Sequence, residues 1–204
     1  MAEDPYDLQR FVAAQDAGGT YEQATVELRT GRKTSHWMWF VFPQIAGLGY
    51  SPMSRTYAIS SLEEARAYLA HPVLGVRLIE CATILVGLPG RTAEQVFGEV
   101  DALKLCSSMT LFRRAAPGEP VFRQVLDQYF GGLPDSATEQ RILAVRCLEE
   151  FPASGPLISS GNDQGRTAPL AAGQVRLTAA HAVAVTSTGP AGRWRRHRSR
   201  SAVW

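Results

Sequence analysis

Signals for the start and the end of helices recur along the first 150 residues, and they constrain the fold more than any other feature of this sequence. Capping residues, prolines at first helical positions and glycines at helix ends delimit a series of segments with helical apolar periodicity. The predicted starts and spans are Asp4-Pro5, Thr20 with Gln23, Ser51-Pro52, Ser61 with Glu64, His71-Pro72, Thr92 with Gln95, 101–113, 120–130 and 135–150. We therefore expect an all-α, multi-helical single domain over residues 1–150.

The segment 36–42 has the composition of a β-strand, because it is rich in aromatic and β-branched residues. A strand without a partner leaves its backbone N–H and C=O groups unpaired. No other segment of the first 150 residues has the composition of a partner strand. We therefore predict a buried helical or irregular segment that ends at Pro43.

The composition changes after Phe151. Residues 152–204 are rich in Gly, Ala, Ser, Thr, Pro and Arg and have no sustained apolar period, which predicts a disordered C-terminal extension over residues 151–204. The extension has seven arginines and one acidic residue, a charge of +6, so the total of +2 leaves −4 on residues 1–151. Nucleic-acid binding is therefore expected at most weakly, through the arginine-rich end around Trp194.

Other features narrow the setting of the protein. The first seven residues, MAEDPYD, are acidic, and the longest apolar run, 37–42, is far shorter than the roughly 20 residues that span a bilayer. Cys81, Cys106 and Cys147 form no Cys-x-x-Cys pair, and the four histidines lack metal-ligand spacing. We expect a cytoplasmic protein with reduced thiols and with no metal, cofactor or membrane association.

The first candidate site surrounds the aromatic segment. Trp37 and Trp39 form a large apolar surface next to Lys33, His36 and Gln44. An imidazole beside aromatic rings can have its charged form disfavoured, which suits acid–base chemistry near neutral pH. Aromatic faces also stack on planar ligands or bind cations. The alternative is structural: the tryptophans belong to the core, and His36 is a hydrogen-bonding residue at a helix start.

Arg55 and Tyr57 form a second candidate site, in the segment that starts at Ser51-Pro52. A guanidinium, a phenol and the N–H groups of a helix start are groups that bind phosphate or carboxylate. Gly47 and Gly49 would allow a ligand to approach the backbone, although their spacing matches no standard phosphate loop. The alternative is a capped turn without a ligand.

Asp101, Lys104 and Ser108 lie along one edge of a predicted helix, beside its apolar stripe. Asp101 and Lys104 have the spacing of a helical ion pair, which contributes roughly a few tenths of a kcal/mol. A lysine near a serine can also activate the hydroxyl as a nucleophile, but no glycine-flanked serine supports that chemistry. A structural role is favoured for this cluster, while Asp101 and His36 are the candidate acid–base residues.

Several uncommon strings in these segments resemble, in order, a known family. The strings are DPYDLQRFVAAQ, HWMWFVFPQ followed by GLG, SRTYAI, YLAHPVLGVRL and DALKLCSSMTLF. The family is the uncharacterised bacterial domain of unknown function 1810, whose members are often labelled calpastatin, and the resemblance runs from about Asp4 to about Thr138. It implies an all-α, multi-helical fold, it implies no particular activity, and members of the family end shortly after the segment that resembles residues 121–135.

Two functional hypotheses follow, and the sequence does not decide whether the protein is an enzyme. The first is a pocket for an anionic or nucleotide-like small molecule, lined by aromatic and basic residues and their neighbours: Lys33, His36, Trp37, Trp39, Gln44, Arg55, Tyr57, Lys104 and Ser108. The second is a non-enzymatic helical module that binds a protein or peptide through an exposed apolar surface. A weaker alternative, from general character alone, is an N-glycosidase-like enzyme that acts on nucleotide sugars.

Overall fold

The structure, a computed structural model, describes residues 4–88 and 90–150 and confirms the all-α fold. Over these residues there is no β-strand, and one parallel bridge joins Ile45 to Ile59. The helices are α1 (Gln9–Asp16), α2 (Thr20–Thr30), α3 (Met38–Val41), α4 (Pro52–Thr56), α5 (Leu62–Ala70), α6 (Leu74–Val86), α7 (Ala93–Phe97), α8 (Glu99–Ala115), α9 (Pro120–Phe130) and α10 (Ser136–Glu150). The predicted extension over residues 151–204 lies outside the described residues.

Several helices begin at the predicted caps. The Ser51 hydroxyl accepts the backbone N–H of Ser54 at 3.1 Å, and Pro52 follows as the first residue of α4. At α7, Thr92 and Gln95 form a complete capping box with hydrogen bonds of 3.2 and 2.9 Å. These caps were predictable because they are local, as each satisfies backbone N–H groups within one turn.

Two predicted caps are wrong. The N-cap expected at Asp4 is absent, because Asp7 has a left-handed φ of 49° and α1 begins only at Gln9. Asp4 instead accepts the Gln9 N–H at 3.1 Å from outside the helix. The capping box expected at Thr20 is also absent, because Thr20 is already the first residue of α2 and its hydroxyl donates to the Ala17 carbonyl at 2.5 Å.

The aromatic segment is a buried helical turn, as predicted. It forms α3, after which Phe42 leaves helical geometry with φ −122° and ψ 71°. Trp37, Met38 and Phe42 are fully buried. The rings of Trp37 and Phe42 pack against Phe97 at centroid distances of 6.2 and 6.3 Å, so the segment is anchored to α7.

The helix α8 is central to the fold and packs against α5, α7, α9 and α10, while α6 packs against α2, α5 and α9. All six residues from 107 to 112 are buried, which is the pattern of an interior helix. The Ser107 hydroxyl is satisfied there by Thr138 at 2.7 Å. The first turns of α8 are different, because Val100 and Leu103 are exposed on them, and they face the candidate site described below.

No single helix among the described residues is both long enough and apolar enough to cross a membrane. Only α5 and α6 taken together meet those requirements of length and composition, and the two are bent by 90° at their junction.

Candidate functional site

Two lysines meet on one carboxylate at the start of α8. Lys33 Nζ lies 2.6 Å from Oδ2 of Asp101, and Lys104 Nζ lies 2.6 Å from Oδ1. Lys33 reaches Asp101 from the segment between α2 and α3, where its backbone N–H donates to the Val96 carbonyl at 2.8 Å. These are the only lysines of the sequence, since 19 of its 21 basic residues are arginines. We call this group the lysine pair.

The lysine pair carries a net charge of +1. The side chains are mostly buried, with exposed fractions of 9% for Lys33, 17% for Asp101 and 19% for Lys104. Burial by itself raises the pKa of Asp101, but the hydrogen bonds from Lys104 and Lys33 outweigh it, and the net effect lowers the pKa. Asp101 is therefore ionised at neutral pH, a state that suits charge pairing and makes it a poor proton donor.

Each lysine also lies over the ring of a tryptophan. Lys33 Nζ is 5.2 Å from the ring centroid of Trp37, and Lys104 Nζ is 4.6 Å from that of Trp39. Both distances are within the range of cation–π attraction. Trp37 is fully buried, whereas Trp39 is half-buried, so the contact between Lys104 and Trp39 is the part of this arrangement that reaches the surface.

Glu27 holds the segment that carries Lys33, and no sequence pattern singled it out. Its carboxylate accepts hydrogen bonds from the Thr34 backbone and hydroxyl, the Ser35 backbone and the Trp37 indole, at 2.7–3.1 Å. Burial raises the pKa of Glu27, but the hydrogen bonds from Thr34, Trp37 and Ser35 outweigh it and lower the pKa to about 2. A glutamate on an amphipathic helix has the pattern of a solvent-facing residue, so this role could not be predicted.

A cavity of about 430 Å³ opens beside Lys104. Its walls come from α3, from the segment that leads into α4 and from the first turns of α8. The lining residues are Trp39, Gln44, Leu48, Gly49, Tyr50, Ser51, Ser54, Val100, Leu103 and Lys104. The volume lies within the range of about 300–1,000 Å³ that is typical of small-molecule sites. We call it the Lys104 cavity.

Three apolar side chains of the Lys104 cavity are strongly exposed. The exposed fractions are 82% for Tyr50, 70% for Leu103 and 67% for Val100. Grouped exposed apolar residues are typical of binding surfaces. None of the three was predicted as a site residue, because residue type alone does not show whether an apolar side chain is exposed in the folded protein.

Some polar side chains of the cavity make hydrogen bonds within the protein, and others do not. The hydroxyls of Ser51 and Ser54 bond to each other at 3.0 Å within the α4 cap. The backbone carbonyl of Gln44 accepts the N–H of Ile59 at 2.9 Å, but within the described part of the chain its side-chain amide makes no hydrogen bond. Gln44 lines the cavity, so its amide is a candidate for hydrogen bonding to a ligand.

Gly47 and Gly49 lie close against other parts of the protein, and Gly49 also lines the Lys104 cavity. A Cβ atom on Gly47 would lie 2.7 Å from the Arg141 guanidinium, and one on Gly49 would lie 2.6 Å from the Ser54 side chain. Gly47 also has a φ of 88°, which favours glycine. The Arg141 guanidinium of α10 also donates to the Gly47 carbonyl at 3.0 Å, and the next two residues, Leu48 and Gly49, line the cavity.

The structure brings together six of the residues singled out from the sequence. These are Lys33, Trp37, Trp39, Gln44, Asp101 and Lys104. Of these six, Trp39, Gln44 and Lys104 line the cavity, while Lys33, Trp37 and Asp101 lie behind Lys104 in the lysine pair and its tryptophan contacts. The remaining candidates neither line the cavity nor join this group. His36 and Arg55 are exposed, Tyr57 packs its ring on Phe40 at 5.3 Å, and Ser108 is fully buried with an Oγ that has no partner among the described residues.

A second cavity, of about 370 Å³, lies between the end of α8 and the start of α9. It contains arginines, but two of them are already paired: Arg114 with Glu139 at 2.8 Å and Arg123 with Asp127 at 3.4 Å. Its charge is thus largely balanced within the protein, and the Lys104 cavity is the better candidate. In the part of the chain that the structure covers, no three His, Cys, Asp or Glu residues are placed to hold a metal ion.

Comparison with known proteins supports the fold and gives no ligand. A family model described as a protein of unknown function (DUF1810) matches residues 5–142. The chain is also similar to the crystal structure of the conserved hypothetical protein Rv1873 from Mycobacterium tuberculosis, with 52% identity and a TM-score of 0.67 over 69% of this chain and 99% of that one. No curated protein matches the chain.

Proposed function

The chain belongs to the DUF1810 family of proteins of unknown function, and on that premise we propose that it binds a small organic anion in the Lys104 cavity. The anionic group of the ligand lies at the ammonium of Lys104. The apolar body of the ligand covers Trp39, Val100 and Leu103. The proposal concerns binding and includes no covalent step.

The lysine pair is the observation that supports this proposal most directly. In a chain that otherwise uses arginine, both lysines converge on one carboxylate, and Lys104 also lines an open cavity. Asp101 neutralises only one of the two charges. A positive charge that is partly removed from water attracts an anion more strongly than a surface charge does, because the effective dielectric constant is lower.

The apolar walls indicate the rest of the ligand. Val100 and Leu103 lie one turn apart on α8 and expose about two thirds of their surface. Covering apolar surface stabilises a complex by roughly 25 cal/mol per Å² before the costs of association. An inorganic ion gains nothing from these walls, so the arrangement favours an organic anion.

Binding by the full-length protein tests the proposal. We would screen carboxylates, sugar phosphates and nucleotides by thermal shift and measure affinities by calorimetry. A ligand at 100 times its Kd stabilises the folded state by about 2.7 kcal/mol. Lys104→Gln should abolish this effect, while Arg123→Gln, which removes an exposed cation outside the Lys104 cavity, should leave it unchanged. Equal binding by wild type and Lys104→Gln would rule the proposal out.

The scarcity of lysine allows a direct structural readout. Reductive methylation with ¹³C-formaldehyde labels only two side-chain amines, besides the N-terminus, and preserves their charge. A ligand in the Lys104 cavity should shift the Lys104 methyl signal more than the Lys33 signal, because Lys33 does not line the cavity. The variants Lys33→Arg and Lys104→Arg assign the two signals.

A second candidate is the binding of a protein or peptide segment, and the exposure of Tyr50, Val100 and Leu103 favours it. Such a partner is held mainly by apolar contact. Leu103→Ser should then weaken the complex at least tenfold, while Lys104→Gln should have little effect. The opposite pattern, in which Lys104→Gln is the more damaging change, supports the small organic anion.

A further inference from the structure

We infer that the anion bound in the Lys104 cavity carries a heteroaromatic ring, with nucleoside monophosphates as its simplest form, and that this ring stacks on Tyr50. The inference rests on the proposed function and narrows it from organic anions in general to one chemical class. It assigns three separate roles: ring stacking to Tyr50, recognition of the ring edge to Gln44 and binding of the phosphate to Lys104.

Tyr50 has the properties of a stacking surface. It has the highest exposed fraction, 82%, among the large apolar side chains that the structure describes, and it lies at the Lys104 cavity directly before the α4 cap. Nearby aromatic rings pack on each other: Trp37 on Phe42 at 6.2 Å and Phe40 on Tyr57 at 5.3 Å. Over residues 4–88 and 90–145, the Tyr50 ring has no aromatic partner. A planar ligand ring would supply one.

The Gln44 amide favours a heteroaromatic ring over a hydrocarbon ring. A carboxamide has two N–H donors and a carbonyl acceptor, and it can form two simultaneous hydrogen bonds to the edge of a base such as adenine. The Gln44 amide has no hydrogen-bond partner among the described residues, and Gln44 lines the same cavity as Tyr50. A hydrocarbon ring would cover this amide without bonding to it, at a cost in binding free energy.

Lys104 fixes the other end of the ligand. Its ammonium is bound by Asp101 at 2.6 Å and lies over Trp39 at 4.6 Å, so its position is restrained before a ligand arrives. A restrained cation loses little side-chain entropy when it binds a phosphate. A sugar phosphate without a base would use only this end of the cavity and would leave Tyr50 and Gln44 without partners.

Three probes separate these contributions in the full-length protein: adenosine 5′-monophosphate, ribose 5-phosphate, which lacks the base, and adenosine, which lacks the phosphate. Calorimetry should show the nucleotide binding at least tenfold more tightly than ribose 5-phosphate, because base stacking on an aromatic side chain contributes about a factor of ten or more. The nucleotide should also bind at least tenfold more tightly than adenosine, which has no phosphate to pair with Lys104. Tyr50→Ala should reduce nucleotide affinity to within about threefold of ribose 5-phosphate. Tyr50→Phe should retain the wild-type affinity, since stacking needs the ring and not the hydroxyl.

Gln44→Leu provides an independent test. In wild type the four common ribonucleoside monophosphates should differ in affinity by about threefold or more, and Gln44→Leu should reduce these differences. Thermal unfolding of each variant checks the fold, and Tyr50 is exposed enough that its replacement leaves the core intact.

The outcomes distinguish the inference from the proposed function. Equal affinities for the nucleotide and ribose 5-phosphate, both lost in Lys104→Gln, would overturn the inference and leave the proposed function standing. Nucleotide binding that is unchanged in Tyr50→Ala would also overturn the inference. If none of the organic anions screened binds in a Lys104-dependent manner, both fail.

Discussion

Glu27 shows how a single buried carboxylate can organise the neighbourhood of a site. It is 6% exposed and accepts four hydrogen bonds from residues 34–37, which lie next to Lys33. In Glu27→Gln, an amide replaces one acceptor oxygen with a donor and leaves buried N–H groups unpaired. We expect a loss of roughly 2–4 kcal/mol in the free energy of unfolding, measured by urea denaturation. Glu22→Gln, at an exposed position on the same helix, should change it by less than about 0.5 kcal/mol.

The same carboxylate makes stability depend on pH in the acid range. The pKa of Glu27 is about 2 in the folded protein, below its ordinary value of 4.5. Because the pKa of Glu27 is lower in the folded than in the unfolded protein, the ionised carboxylate stabilises the folded state. This stabilisation is fully present above about pH 4.5 and is lost as the pH falls from about 4.5 to about 2. It amounts to at most about 3 kcal/mol. The difference in stability between wild type and Glu27→Gln should therefore shrink across this window. A difference that stays constant from pH 5 to pH 2 would contradict this account.

The lysine pair leads to a prediction in which stability and affinity change in opposite directions. Asp101→Asn leaves the ammonium groups of Lys33 and Lys104 without their shared counter-charge, which should cost roughly 2–3 kcal/mol of stability. Removing one of the two charges as well, in Asp101→Asn with Lys33→Met, should recover more than half of that loss. The affinity of Asp101→Asn for anions at Lys104 should rise, because the negative charge beside the ligand is gone. Additive losses in the double variant would show that the two lysines do not repel each other.

At the scale of elements, the junction of α5 and α6 depends on one glycine. A Cβ atom on Gly75 would lie 2.0 Å from the backbone carbonyl oxygen of Leu69, which cannot move without displacing α5. Alanine is the better helix former by about 1 kcal/mol, so propensity alone predicts that Gly75→Ala stabilises the protein. We expect the opposite sign, a loss of more than about 3 kcal/mol measured by thermal or urea unfolding.

Val76→Ala is the matched control for the Gly75 variant. Val76 is the next residue of α6 and is 64% exposed, so its truncation should change stability by less than about 0.5 kcal/mol. A stabilised Gly75→Ala protein would mean that the close approach of α6 to the end of α5 does not constrain the fold.

The elements that could be predicted from the sequence are those whose boundaries are local. Ser51 and Thr92 cap their helices within one turn, and both caps were predictable. The start of α1 was not, because it depends on distant residues: Arg10 donates to the carbonyl groups of Thr56 and Ala58, each at 3.0 Å, and to Glu64 at 2.6 Å. This tertiary network holds the N-terminal segment on α5, and no local pattern encodes it.

The residues of the candidate site also fall into those that could be predicted from the sequence and those that could not. Asp101 and Lys104 pair at helical spacing, so their contact was predictable, and the aromatic segment drew attention to Trp39 and Gln44. Arg55 could not be excluded in advance, because α4 is so short that its outward face has no periodic signal. Tyr50 could not be singled out, because its exposure and its place at the cavity are determined only by the assembled fold.

At the scale of the whole molecule, the family match covers nearly the same residues as the helices that the structure describes. The family model ends at residue 142, and 69% of this chain covers 99% of the similar crystal structure. A protein with this fold therefore exists almost without a counterpart of the extension. We predict that the extension contributes less than about 0.5 kcal/mol to stability, so residues 1–151 alone should unfold within about 2 °C of the full-length protein. In a domain of this size a 1 kcal/mol loss lowers the melting temperature by roughly 2–4 °C.

The uneven distribution of charge predicts how the same truncation affects nucleic-acid binding. Residues 1–151 carry −4, and the extension carries the +6 that makes the whole chain basic. Binding to nucleic acid at low salt comes mainly from cations that displace counterions, and a domain with net negative charge is repelled by the phosphate backbone. Any affinity of the full-length protein for duplex DNA at about 50 mM salt should therefore be absent from residues 1–151, as measured by fluorescence anisotropy. Equal affinity of the two proteins would place nucleic-acid recognition on the helical domain, where the positively charged Lys104 cavity would be the first surface to examine.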